Sequence, residues 1–72
     1  MSIQPGQIYR SCKPRDNGFR IRIVKVSEWS VRAVDASTGR PLLDRVLIAN
    51  LHESATTVSG RPRRAGYALE QP

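Results

Sequence analysis

Residues 19–26, FRIRIVKV, alternate apolar and basic side chains, and a repeat of two is that of a β-strand with one buried face and one wet face. A helix would scatter the same residues around its whole circumference. The alternation slips once: Phe19, Ile21 and Ile23 share one parity, Val24 and Val26 the other. A one-residue slip exchanges faces, so a β-bulge or strong bend is expected near Ile23–Val24. Small barrels need such bends to close. On this strand Arg20 and Arg22 point outward, and Lys25 rejoins them beyond the bulge.

The rest of the chain reads as strands separated by turn chemistry. Pro5-Gly6 delivers the chain into a first strand at 7–12, and KPRDNG follows as a turn or irregular arm with Gly18 free to take a positive φ. In WSVRAVDA, Trp29, Val31 and Ala33 have the phase of core residues, and the phase breaks again at Ala33–Val34. DASTG carries Asp35 and Ser37 for side-chain to backbone bonds, with Gly39 where a type I turn plus G1 bulge needs a left-handed residue. A fourth strand is expected at 41–48. A longer helix over 43–56 competes, because Leu43, Leu47, Ile48 and Leu51 fit helical spacing, but Pro41, Val46 and Ile48 favour a strand. ANLHESA suits one 3₁₀ or α turn, TTVSGRPRRAG is a polar loop, and GYALE is a short closing strand. The fold expected is all-β: one small five-stranded barrel over residues 1–72, core about 5–70, with one short helical turn before the last strand.

A chain of 72 residues buries only roughly 60% of its unfolded surface, so the core is thin. The single cysteine, Cys12, cannot form an internal disulfide, and Cys12 with His52 supplies at most two of the four ligands of a structural zinc. No metal or cofactor is expected. Unpaired cysteine usage, the lack of a signal-like start in MSIQPGQ and the lack of a long apolar run point to the cytoplasm rather than to export or a membrane. Enzyme chemistry is not expected either. His52 lies beside Glu53 and Ser54, but sequence neighbours do not make a triad, and the six carboxylates are scattered singly. Arg10 and Lys13 near Cys12 suit a lowered thiol pKa, yet a small residue ending a strand explains Cys12 more simply.

Charge is concentrated. Residues 1–32 hold Arg10, Lys13, Arg15, Arg20, Arg22, Lys25 and Arg32 against Asp16 and Glu28, and contribute +5 of the total +6. A second centre is RPRR, with Arg61, Arg63 and Arg64. Of 12 cations 10 are arginine, whose planar guanidinium suits phosphate geometry. A polyanion is therefore the first partner to consider, although a wet outer face is also what any half-buried strand carries. The candidate contact residues are Lys13, Arg15, Arg20, Arg22, Lys25 and Arg32 as one stripe, with Arg61, Arg63 and Arg64 on a second loop. Tyr9 and Tyr67 are the candidate stacking residues, because Phe19 and Trp29 have core phase. Two tyrosines are few for reading single strands, so salt-sensitive backbone contact with DNA or structured RNA is expected.

PGQIYRSCKPRDNGFRIRIVKV, WSVRAVDASTGRP, VLIANL and GYALE together resemble the SH3-like, KOW-like small barrels. More narrowly they resemble a group of short basic proteins of unassigned function carried by actinobacteria and their phages. The resemblance implies an SH3-like barrel that contacts RNA, DNA or the machinery of transcription and translation. It departs from ribosomal and elongation-factor KOW domains in lacking a second domain for the barrel to position, which implies a free-standing accessory or regulatory protein. The alternative is a protein-interaction module, phage-like or regulatory, that binds an acidic face of a host protein. Either reading is compatible with a monomer or a homodimer.

Overall fold

The computed structural model describes residues 3–71, with Gln71 described by its backbone alone; residues 1, 2 and 72, the ends of the expected domain, lie outside the described residues. Six strands form one sheet: β1 (Ile8–Ser11), β2 (Arg20–Val26), β3 (Ser30–Asp35), β4 (Val46–Leu47), β5 (Leu51–His52) and β6 (Tyr67–Gln71). Their order in space is β4-β3-β2-β1-β6-β5. All neighbours are antiparallel except β5 and β6, which run parallel. The two edges of the sheet, β4 and β5, are consecutive in the chain and separated only by a 3₁₀ turn, Ile48–Asn50. One turn thus brings opposite edges together, and the sheet curls into a nearly closed small all-β barrel, as the strand pattern implies.

The bends that allow this curl are visible in the pairing. Register in β2–β3 shifts between Ile23 and Lys25, which leaves Val24 as the inserted residue. Val24 and Lys25 both face out, and Val26 returns to pack against the core. The parity slip in FRIRIVKV is therefore the bulge itself. A second shift, between Ile8 and Tyr9, bends β1 against β6. Inside lie Tyr9, Ile21, Ile23, Val31, Ala33, Val46 and Leu51, flanked by half-buried Phe19, Leu42, Ile48, Tyr67 and Leu69.

Turn chemistry holds the strands in register. Asp35 Oδ1 accepts from the Ser37 and Thr38 amides, and Gly39, at φ 79°, donates its amide to the Asp35 carbonyl. KPRDNG forms a 3₁₀ turn over Pro14–Asp16, followed by left-handed Asn17 and Gly18. The Ser11 hydroxyl reaches the Asp16 carboxylate and ties this arm to β1.

Four local expectations are corrected. The fourth strand does not run over 41–48: Pro41 makes an isolated bridge to Val34, and pairing resumes only where Val46 meets Val31. Counting back along β3 leaves two more residues on the 41–46 side than the ladder can pair, so residues 43–45 arch outward, while the Leu42 amide donates to the Ala33 carbonyl at 3.1 Å and its side chain packs against the core. Leu51–His52, placed in the helical turn by sequence, pair with β6 and raise the strand count to six, and no longer helix forms over 43–56. The phase break at Ala33–Val34 is not a bulge, since β2–β3 register runs unbroken through both, and Val34 simply faces out beneath the Pro41 bridge. Trp29 is not a core residue but 75% exposed, because the tight turn joining β2 to β3 lifts it beyond the end of the barrel.

Candidate nucleic-acid interface

Pairing sets the outward cations into rows. Arg10 of β1 lies opposite Arg20 of β2, Arg22 lies between Ile8 and Val34, and Lys25 lies opposite Arg32 of β3. Like charges directly across a ladder destabilise it, and two such pairs occur here. One is relieved: Arg20 reaches over β1 to Glu70, with Nη2 2.9 Å from Oε1 and Nε donating to Oε2 at 3.1 Å. Among the described residues no carboxylate pairs with Arg22, Lys25 or Arg32.

The second charged region is assembled from distant sequence. Residues 55–63 fold on themselves as a short hairpin: the Thr57 amide donates to the Arg61 carbonyl at 2.8 Å, the Arg63 amide to the Ala55 carbonyl at 2.8 Å, and Thr56 bridges Pro62. Arg63 Nε donates to the Ser54 carbonyl at 3.0 Å, which fixes its guanidinium at the hairpin base. This hairpin lies against the Pro14–Asp16 turn. Lys13, Pro14, Arg15 and Arg64 line a groove of about 390 Å³, and Cys12, Pro14, Arg61, Pro62, Arg63 and Arg64 line one of about 600 Å³. Shared walls at Pro14 and Arg64 make the grooves contiguous. Five cations thus meet at one end of the barrel, and among the described residues none of them is ion-paired.

Lys13 and Arg15 therefore join RPRR more directly than the strand stripe with which sequence grouped them. What connects the regions is Arg10, absent from the sequence-derived set. Its guanidinium packs so close to Gly18 that a Cβ there would come within 2.7 Å of Nη2. Arg10 thus spans from the β1–β2 ladder to the arm bearing Lys13 and Arg15. The signal for it was the same alternation, in QIYRSC, that flagged Arg20 and Arg22.

The aromatic assignments change. Tyr9 is 0% exposed, its hydroxyl donating to Gln7 Oε1 at 3.2 Å, and so offers no face for stacking. A core of eight buried apolar residues among those described needs the ring for volume, which a parity reading of so short a strand cannot tell. Tyr67 is half-buried beside Phe19 and Leu42, along a groove of about 640 Å³ at the barrel end. Burial, with nearby Asp16, raises its phenol pKa. Trp29 is the aromatic left in solvent.

Burial pushes the Cys12 thiol pKa up, against the opposing pull of Arg63. Burial and Arg63 both push His52 down. The Ser54 hydroxyl hydrogen-bonds the Thr56 hydroxyl at 2.9 Å and accepts from the Thr56 amide at 3.1 Å. Among the described residues no three His, Cys, Asp or Glu side chains are grouped to hold a metal, and no helix is long and apolar enough to cross a membrane. Comparison with protein-family models, curated proteins and solved structures returns no match.

Proposed function

We propose that this protein is a small basic nucleic-acid-binding protein of accessory or regulatory type, acting in the cytoplasm, that grips phosphate backbone through the barrel-end cations and the outer face of β1–β3. The observation that carries this reading is the meeting of Lys13 and Arg15 with Arg61, Arg63 and Arg64 around contiguous grooves, none of the five ion-paired among the described residues. Gathering like charges opposes folding unless a mobile or bound anion offsets it. Phosphates fit such a surface, because each contact releases counterions and guanidinium forks match phosphate oxygens. The resemblance to KOW-like barrels implies the same class of partner.

The test is fluorescence anisotropy of labelled duplex DNA and structured RNA at two salt concentrations. Engagement of the five end cations by phosphates on duplex DNA gives a log–log salt slope of about −4.5, from about −0.9 per phosphate. Replacing Arg61 and Arg64 with serine should make the slope shallower by about two such contacts, without regard to base sequence. Absence of binding to either nucleic acid at low salt overturns the proposal.

A second reading, a protein-interaction module, draws on the outward arch at 43–45, where Leu43 is fully exposed above a groove of about 330 Å³ lined by Val24, Val34 and Leu42. Binding to a protein partner that falls only gently with salt, with no nucleic-acid binding, would favour it.

A further inference from the structure

Trp29 is the largest side chain in the molecule and stands 75% exposed on a chain whose core is thin. Its backbone is nevertheless held. The Ser27 amide donates to the Ser30 carbonyl at 2.8 Å, closing the turn, and the Ile48 amide donates to the Trp29 carbonyl at 2.9 Å, pinning the turn to the chain leaving β4. The indole therefore rises from a fixed base. Leu47, 54% exposed, lies opposite Ser30, the residue that follows Trp29.

The neighbouring outward row is cationic. Lys25 and Arg32 pair across β2–β3, and Arg45 enters β4 immediately before Val46, which pairs with Val31. Two carboxylates, Glu28 and Asp44, share these turns, so the local balance remains positive. A held, exposed indole at the turn, with Lys25 opposite Arg32 on the two strands it joins and Arg45 on one groove with Arg32, provides the two elements that unpaired nucleotides require: a flat apolar face for the base and positive charge for its phosphates. A continuous duplex conceals its base faces in the stack and cannot use the first.

We propose that Trp29 is a base-stacking platform at the end of the molecule away from the five-cation grooves, and that this surface takes nucleic acid containing an unpaired base. The inference rests on the proposed nucleic-acid function and narrows its ligand to a single strand, a loop or a duplex–single-strand junction. It also revises the expectation of backbone-dominated contact, which followed from counting Trp29 among the core residues and leaving only Tyr9 and Tyr67 for stacking.

Trp29 is the one tryptophan of the chain, so its fluorescence reports the platform directly. The experiment titrates the full chain with a deoxythymidine oligonucleotide and with a blunt duplex of equal length, following intrinsic fluorescence together with anisotropy of labelled copies. The expected result is quenching by the single strand with little change on the duplex. Trp29→Ala should weaken single-strand binding roughly 5- to 160-fold, the range that loss of one stacked base gives. Duplex binding and the thermal unfolding midpoint should stay unchanged, and Trp29→Phe should recover part of the loss. Single-strand binding without quenching, or equal weakening on both ligands in Trp29→Ala, overturns the platform and leaves the nucleic-acid reading standing. No binding of either oligonucleotide, with quenching by a poly-glutamate peptide instead, overturns both and assigns the face to a protein partner.

Discussion

His52 is a residue whose charge state the fold decides. It sits half-buried on β5, where a Cβ on Gly66 would come within 2.9 Å of its Nε2 and 2.7 Å of the Asn50 carbonyl oxygen. Gly66, at φ +78°, is thus the residue that lets the chain re-enter the barrel beneath His52. Burial and the Arg63 guanidinium lower the His52 pKa from its ordinary 6.5, and the other charges near its elements are Glu53 beside it and the barrel-end cations. The folded protein therefore holds a neutral imidazole at pH values where the unfolded chain has begun to protonate. The unfolded state binds more protons, so stability is unaffected above the unfolded value and falls as pH drops below it toward the folded one. Urea midpoints measured at pH 7.5 and 5.5 should show this loss, and His52→Gln should reduce it; an unchanged loss in that variant would exclude His52 as its source.

At the scale of the element, β2 does two things with one pattern. Its odd residues up to Ile23 fill the core, its even residues carry charge outward, and the extra residue at Val24 bends the strand without sending Val26 into solvent. The Arg20–Glu70 pair ties β2 to β6 across β1, yet both side chains are substantially exposed, so its contribution is small, about 0–1 kcal/mol. Arg20→Ser should accordingly shift the denaturation midpoint little, and Arg22→Ser even less. Both should weaken nucleic-acid binding to a similar extent across sequences, as loss of a phosphate contact does. Marked unfolding of Arg22→Ser would show that its alkyl stem is packed between Ile8 and Val34, and would move it from the binding surface to the structure.

At the scale of the whole molecule, the charged surface has a length. The arm at 13–15 and the hairpin at 61–64 lie toward the Arg20 end of β2, and the turn bearing Trp29 lies beyond Val26, about 20 Å away at ~3.3 Å per strand residue. The longest dimension of the molecule is 32 Å. A ligand that touches both ends must therefore cover roughly six to nine nucleotide steps at about 3.4 Å each along a duplex strand. Affinity in a length series of duplexes carrying a short single-stranded end should rise steeply to that length and then level off. A plateau reached at three or four steps would mean that only one end of the track is in use.

What the sequence determined by itself is whatever depends on neighbours along the chain. The strand character of FRIRIVKV, its bulge, the Asp35–Gly39 turn, the late 3₁₀ turn and the outward course of Arg20, Arg22, Lys25 and Arg32 all follow from periodicity and turn chemistry, and together they imply a small barrel. Only the tertiary structure decided what depends on residues far apart. Whether a ring of the right parity lies inside, as Tyr9 does, or outside, as Trp29 does, is set by the volume left within a closing sheet and by where a turn carries the chain past its end. Residues 13–15 and 61–64 meet because the Cys12 amide donates to the Gly66 carbonyl at 2.9 Å and β1 pairs with β6, bringing both loops to one end of the barrel. No local pattern encodes that proximity, since it arises from long-range pairing between strands that are each too short to announce their partner.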